Sequence, residues 1–239
     1  TPYLPKGVEY PYFTEPLEVN HIHQADLMGP RYIKDDGRFY SLNVIDLYSH
    51  RVFLHPQRHK DDQAVALGLI RCWKTMGIPD FLQVDNGLCF RGSNRYPRSL
   101  GLVLRLCLLM GIEVVFIPIG EPWRNGVVES FNNSYDQRFF RRQWFRSYRQ
   151  LRSQSKNFEL FHNKNHHYSC LKGKTPLQLI QEESYLPILP PPKFTLPKIA
   201  YIPEGTISLI RFIRSDRKLD IFGEHFELPK TLIYTYVRA

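Results

Sequence analysis

A chain of 239 residues with 43% apolar and 14% aromatic content can bury a full core, which excludes a disordered protein and predicts one main domain. No apolar run approaches the roughly 20 residues that span a bilayer and no signal peptide opens the chain, so no membrane partner is expected. The surplus of 32 basic over 23 acidic residues, +9 in net charge, points to a polyanionic partner, because Lys and Arg neutralise phosphates and release counterions.

The first 16 residues hold Pro2, Pro5, Pro11 and Pro16 and read as a linker remnant. Three extended segments follow: Val19 to Leu27, Phe39 to Leu47 after the turn residues Asp35-Asp36-Gly37, and Arg51 to Gln57. Asp61 or Asp62 caps a helix in which Val65, Leu69, Cys72, Trp73 and Met76 recur at helical spacing, ended by Gly77 and Pro79. Phe81 to Asp85 reads as a short buried strand stopped by Asn86-Gly87. A helix over roughly Arg98 to Met110, a strand over Glu113 to Pro118 and a long helix from Trp123 or Arg124 complete the series.

Three strands, then helix, strand, helix, strand, helix, predicts an α/β fold with a mixed five-stranded sheet and helices on both faces. That order matches the ribonuclease H-like architecture, and it fits a core over 17–184. Residues 185–200 are rich in proline and read as a stiff linker. Residues 201–239 read as short strands, a small barrel-like all-β domain that must dock on something to be stable. Between Arg138 and Lys174 ten Lys or Arg residues accompany a single acid, Glu159, with Phe139, Phe140, Trp144, Phe145 and Tyr148 interleaved.

Cys72, Cys89, Cys107 and Cys170 are scattered and form no C-x-x-C pair, which argues against a disulfide framework or a zinc ribbon and for a reducing compartment. His21 and His23 share one strand face without a partner pair at zinc spacing. Three acids stand out instead. Asp26 ends the first strand, Asp85 ends the fourth, and Glu129 lies one to two turns into the long helix. An acid in an apolar strand is costly to bury unless it is paired or holds a metal. Two strand-end acids beside a helix acid make an oxygen-ligand cluster of the kind hard cations prefer. Asp46, a fourth strand acid, is expected to support rather than ligate.

These residues carry a specific resemblance. Asp26, then Asp85-Asn86-Gly87 with Phe90, then Pro122-x-x-Asn125-Gly126-x-x-Glu129-x-Phe131, then Phe161-His162-Asn163 through Leu171-x-Gly173-Lys174-Thr175-Pro176 resemble the DDE transposase/retroviral integrase superfamily. The wording is closest to bacterial insertion-sequence transposases with an integrase-type core. The resemblance implies metal-dependent DNA strand cleavage and strand transfer by a polynucleotidyl transferase. It implies Asp26, Asp85 and Glu129 as catalytic and metal-ligating residues, and Mg²⁺ as cofactor, two ions, with Mn²⁺ as a substitute and no organic cofactor. Element ends and target DNA are the implied partners, with a homo-oligomer as the active form, in the bacterial cytoplasm at the nucleoid.

On the helix that carries Glu129, Asn125 and Asn132 or Asn133 fall on its face at helical spacing. Asn125 and Asn133 are therefore expected along the DNA, with Arg138, Arg141, Arg142 and Arg149 continuing the contact. Trp123 and Trp144 read as packing residues. The chain departs from the family pattern at Asn165-His166-His167, where an Arg-His pair is usual, and the basic loop Arg91 to Ser99 reads as a target-DNA contact. The competing readings are a ribonuclease H-like nuclease that only hydrolyses and a non-catalytic DNA-binding relative.

Overall fold

The computed structural model describes residues 8–10, 15–93 and 99–239. Pro2, Pro5 and Pro11 of the opening stretch, and residues 94–98 of the basic loop with Arg98 at the expected start of a helix, lie outside them. Strands β1 (Ile22–Ile33) and β2 (Gly37–Asp46) form a hairpin, and β3 (Val52–Gln57) pairs with β2. The hairpin turn places Asp35 at φ 64° and Gly37 at φ 82°, the left-handed backbone that Asp and Gly tolerate best. Helix α1 (Asp62–Met76) starts where the Asp61 carboxylate accepts the Ala64 N–H at 2.9 Å. Then come β4 (Phe81–Val84), α2 (Leu88–Arg91), α3 (Leu102–Leu109), β5 (Glu113–Phe116), α4 (Gly126–Arg138), α5 (Tyr148–Asn165) and α6 (Pro176–Glu182). The chain finishes with β6 (Ile207–Phe212), β7 (Lys218–Ile221), β8 (Glu224–Glu227) and β9 (Tyr236–Arg238).

The five expected strands lie in the order β3-β2-β1-β4-β5, with β1, β4 and β5 parallel and the β1-β2-β3 meander antiparallel. The C-terminal β segment is present, and two of its strands continue this sheet. β6 adds parallel to β5, Val115 opposite Ser208, and β9 closes the edge, giving seven strands, while β7 and β8 form a separate hairpin. The physical reason is the β5 edge: Val114, Val115 and Phe116 are fully buried and would otherwise present an open apolar ladder. Sequence periodicity finds strands but not their neighbours, so the extra pairing was invisible to it.

Two cores follow from strand alternation. Ala25, Leu42, Val44, Leu82 and Val84 pack under α1 and α3 on one face. Met28, Ile45, Val52 and Leu54 pack under α4 and α5 on the other. The Pro-rich stretch has no helix or strand between Ser184 and Ala200 and is pinned along the first face. Ile78 N–H donates to the Ile188 carbonyl at 2.8 Å, and Arg105 donates to the Ile199 carbonyl at 2.6 Å.

Helix α5 satisfies the outer edge of β3 through side chains. Asn163 accepts the Val52 N–H at 2.9 Å and donates to the Val52 carbonyl at 2.8 Å; Glu159 accepts the Leu54 N–H at 2.9 Å. Both side chains are buried, and Lys156 neutralises Glu159 at 2.5 Å. Asn163→Ala removes a donor and an acceptor from one buried residue, so it is expected to cost about 2–4 kcal/mol of stability. Urea denaturation should show a lower midpoint at an unchanged slope.

Candidate active site

Register brings the first two acids together. In the parallel pair β1/β4, Gln24 lies opposite Gln83. Two residues further on come Asp26 and Asp85, neighbours in the continued register: Asp85 follows the end of β4, whereas Asp26 lies inside β1 and not at its end as expected, because β1 runs on to Ile33 in its pairing with β2. The period of two turns Gln24, Asp26 and Gln83 away from the core that holds Ala25 and Val84. That opposite face is the one α4 covers.

The two glutamines seat α4. Gln24 Oε1 accepts the Val128 N–H at 3.1 Å, one of the orphan donors of the helix start. Gln83 Nε2 donates to the Arg124 carbonyl at 2.8 Å and to Asn125 Oδ1 at 3.3 Å, and Asn125 Nδ2 donates to the Ala25 carbonyl at 3.2 Å. The first turn of α4 is thereby tied to both acid-bearing strands, and Glu129 follows Val128 directly. Sequence reasoning assigned no role to Gln24 or Gln83. Their signal was a polar residue two positions before each strand acid, on the same strand face.

Asp26 is held from two sides. Its Oδ1 accepts the Leu27 N–H at 2.8 Å and its Oδ2 accepts Asn132 Nδ2 at 2.5 Å. Asn132 is oriented in turn by Asn43, which donates to its Oδ1 at 2.7 Å, and Asn43 is oriented by Ser41, which donates at 2.6 Å. Ser41 and Asn43 are fully buried, so this amide chain has one satisfied direction. Asp85 Oδ1 accepts the Gly87 N–H at 2.9 Å, the turn role its sequence context suggested.

Burial pushes the Asp26 carboxyl up to about 6, the Asp85 charge adds to the rise, and Glu129 contributes further, against the Leu27 and Asn132 hydrogen bonds. Glu129 is also raised, first by partial burial and then by Asp85. The three carboxylates therefore share one electrostatic neighbourhood. Among the described residues none of them forms an ion pair. Nor do the described residues contain a group of three or more His, Cys, Asp or Glu that could hold a metal ion as placed. Three carboxylates that raise one another with no cationic partner have the oxygen chemistry a hard divalent cation prefers, but as placed the three side chains do not close on one ion site.

Asp46 is fully buried and accepts the Asn20 N–H at 3.0 Å, the Ser49 N–H at 2.9 Å and the Ser49 hydroxyl; burial pushes it up to about 6. It closes the β2–β3 turn. His23 bonds Asn20 Oδ1 at 2.8 Å, and burial lowers it to about 3, so it is a neutral core histidine.

The expected DNA-facing residues divide. Asn133, Arg138, Arg142 and Arg149 are exposed. Arg141 is exposed but paired at 2.6 Å with Asp136, which also takes Arg31 at 2.9 Å. Asn125 is 2% exposed and its amide is committed to Ala25 and Gln83, so its side chain positions strand and helix instead of facing solvent. Trp144 is 85% exposed and Trp123 38%, so neither is the packing residue expected; the interleaved Phe139 and Phe145 fill the core in their place. Cys72, Cys89, Cys107 and Cys170 are free thiols, and no described helix is long and apolar enough to cross a membrane.

Residues 110–176 match the family model described as integrase core domain, a segment that contains Glu129 but neither Asp26 nor Asp85. The HTLV-2 integrase catalytic core domain, solved in complex with magnesium as a dimeric form, aligns with a TM-score of 0.50 at 18% identity over 69% of this chain and 98% of that one. The BIV integrase catalytic core domain aligns at 0.51 and 18% identity over 69% and 96%. The simian T-cell lymphotropic virus intasome, solved with the PP2A regulatory subunit B56 gamma, aligns at 0.54 and 15% identity over 93% and 71%. No curated protein sequence matches the chain. Likeness at these identities speaks for the fold: the chain shares the ribonuclease H-like fold of retroviral integrase catalytic cores, and the segment matched by the integrase core domain model is in line with the DDE transposase/integrase superfamily that its motifs resemble.

Proposed function

We propose that the chain is a DNA transposase or integrase that cleaves and joins DNA strands with Asp26, Asp85 and Glu129 as its catalytic carboxylates. The observation that carries this reading is the electrostatic coupling of three carboxylates from three elements, unpaired by any described cation, beside the central strands β1 and β4 of an integrase-type sheet. Mg²⁺, in two ions and replaceable by Mn²⁺, would be held by these three side chains and supply the positive charge that phosphoryl transfer requires at the attacking and leaving oxygens. The chain's own contribution is placement. Gln24, Gln83 and Asn125 fix α4 against the strands, and the Ser41-Asn43-Asn132 chain fixes the Asp26 carboxylate.

Asn133, Arg138, Arg142 and Arg149 are the residues we assign to DNA along α4 and beyond it. The magnesium and the dimeric and trimeric forms of the HTLV-2 core support a metal-dependent homo-oligomer, and we assign element ends and target DNA as what it acts on. We further assign residues 17–184 to the catalytic core, 185–200 to a linker along its surface and 201–239 to a C-terminal β unit. The bacterial insertion-sequence origin and the nucleoid as place of action belong to the same proposal. With a pre-nicked DNA end, Mg²⁺-dependent joined product is expected. Cleavage without joining would favour the hydrolytic nuclease.

A pH experiment reads the metal site without DNA. Asp26 and Asp46 both titrate near 6 when folded, above their ordinary carboxylate value. Each therefore contributes stability that is present below about pH 4 and is lost as pH rises through about 6. In EDTA this loss is opposed by His23, His55 and His162, which burial keeps neutral and which add stability as pH rises through their ordinary value, so the readout is the Mg²⁺-dependent difference in melting temperature. Mg²⁺ should raise the melting temperature more at pH 7 than at pH 5, because a ligand of the ionised form stabilises in proportion to its occupancy. Scanning calorimetry at both pH values checks this, and an equal effect of Mg²⁺ at the two would count against the site.

A further inference from the structure

One buried cation in the C-terminal strands has no role so far. Arg211 of β6 is 5% exposed, and its hydrogen bonds all go to neutral oxygens. It donates to Asn86 Oδ1 at 2.9 Å, to the Ile210 carbonyl at 2.9 Å and to the Ile117 carbonyl at 3.4 Å, and its Nε is buried without a partner. Arg91 stands close enough to repel it, and Asp220, the nearby carboxylate, is engaged by Arg91 at 3.3 Å and His225 at 3.6 Å. Burial lowers Arg211 to about 10, so it remains charged at neutral pH. A buried cation with only a shared counter-charge is costly unless an anion completes it.

Arg211 lines a cavity of about 600 Å³ between the Ile119–Trp123 loop and the C-terminal strands. Arg214 and Lys218 stand at its rim, both exposed, and neither side chain has a hydrogen-bond or ion-pair partner among the described residues. Three acids also line it, two of them paired with cations. Glu121 pairs with Arg124 at 3.1 Å and accepts the Tyr236 hydroxyl, Asp220 is shared as above, and Asp216 accepts the Lys218 N–H at 3.3 Å. Of the three aromatic side chains that line the same space, Trp123 and Tyr234 are exposed, at 38% and 58%, and Phe212 is half-buried. Uncommitted cations beside exposed aromatic faces are the chemistry of a single nucleic-acid strand, phosphate on the cations and base on the ring. The volume admits a nucleotide and not a duplex.

We propose that this cavity binds one unpaired strand of a DNA end, with Arg214, Lys218 and the buried Arg211 taking phosphate and Trp123 stacking a base. Through Asn86 the same Arg211 touches the residue after Asp85, so an occupied cavity and the carboxylate site share one loop. The proposal rests on the DNA reading of the chain but not on its catalysis, and binding in EDTA separates the two.

The test is fluorescence anisotropy of a labelled single-stranded oligonucleotide with the full chain in EDTA across a salt series. Arg214→Ala/Lys218→Ala, two exposed positions that leave the core untouched, should weaken binding about tenfold and flatten the log–log salt slope by about 1.4, at about 0.7 per phosphate contact on a single strand. In a Trp144→Phe background the oligonucleotide should quench tryptophan emission, and adding Trp123→Phe should remove that quench, since the remaining Trp73 is buried. Unchanged affinity and slope in the rim variant would overturn the pocket even if the protein joins DNA. Rim-dependent binding by a protein that joins nothing would keep the pocket and discard the transferase. Equal binding of blunt duplex without a quench would overturn the single-strand assignment.

Discussion

Asp85→Asn is expected to lower strand transfer by about three orders of magnitude, equivalent to about 4 kcal/mol of lost transition-state stabilisation. The fold should survive the change. Asp85 lies just past β4, half-buried, and its described hydrogen bond is an acceptor contact from the Gly87 N–H, which an Asn oxygen reproduces. What the substitution removes is charge. The effect is visible without activity, because Asp85 is one of the causes that raise Asp26. The Asp26 carboxyl should titrate below 6 in the variant, as carbon-detected NMR of labelled Asp can read. A lost reaction with an unmoved Asp26 would mean that the two acids do not share a site.

The second large effect is expected at Asn132, where Ala breaks the link between Asn43 and Asp26. Strand transfer should drop by about 10- to 100-fold, the range seen when a group that orients a metal ligand is lost. Stability should fall by about 1–3 kcal/mol, since Asn43 is fully buried and its amide would be left without an acceptor. The two effects separate by measurement. A purely structural role would lower the melting temperature and leave Mn²⁺ affinity per folded molecule unchanged. A positioning role weakens Mn²⁺ binding at temperatures where the variant is fully folded.

Much of this site was legible in the sequence because its chemistry is written in local patterns. A strand acid between Ala25 and Leu27, an acid before Asn86-Gly87 and a helix acid after Asn125-Gly126 each violate the apolar or solvated norm of their element. The hairpin at Asp35-Asp36-Gly37 and the cap at Asp61 were equally local. What escaped was pairwise. Gln24 and Gln83 look unremarkable until the β1/β4 register sets them side by side under α4. Asn125 has the sequence position of a DNA contact, yet the turn Pro122–Asn125 that precedes α4 directs its amide to the Ala25 carbonyl. Trp123 and Trp144 were assigned by residue type, and burial depends on neighbours that type does not reveal. The strand β6 has ordinary β pattern, and only the unsatisfied β5 edge explains why it joins the core sheet.

Position also gives Asn163 a reason beyond motif membership. Its side-chain amide acts as a further strand for Val52, and Glu159 does the same for Leu54, so α5 closes an edge that another chain would otherwise find open. The C-terminal strands close the opposite edge, and Arg211 carries that closure to the loop after Asp85. The carboxylates thus sit at the centre of a sheet whose two margins are both protected.

Mn²⁺ binding, measured by calorimetry on the metal-free chain at pH 7 for wild type, Asp26→Asn, Asp85→Asn and Glu129→Gln, tests the central claim most directly. Saturable binding by wild type, weakened at least tenfold by each of the three substitutions while the variants remain folded, is the expected result. Binding that none of the three alters, or none at all in the folded wild type with DNA present, would contradict the claim that these carboxylates hold the metal.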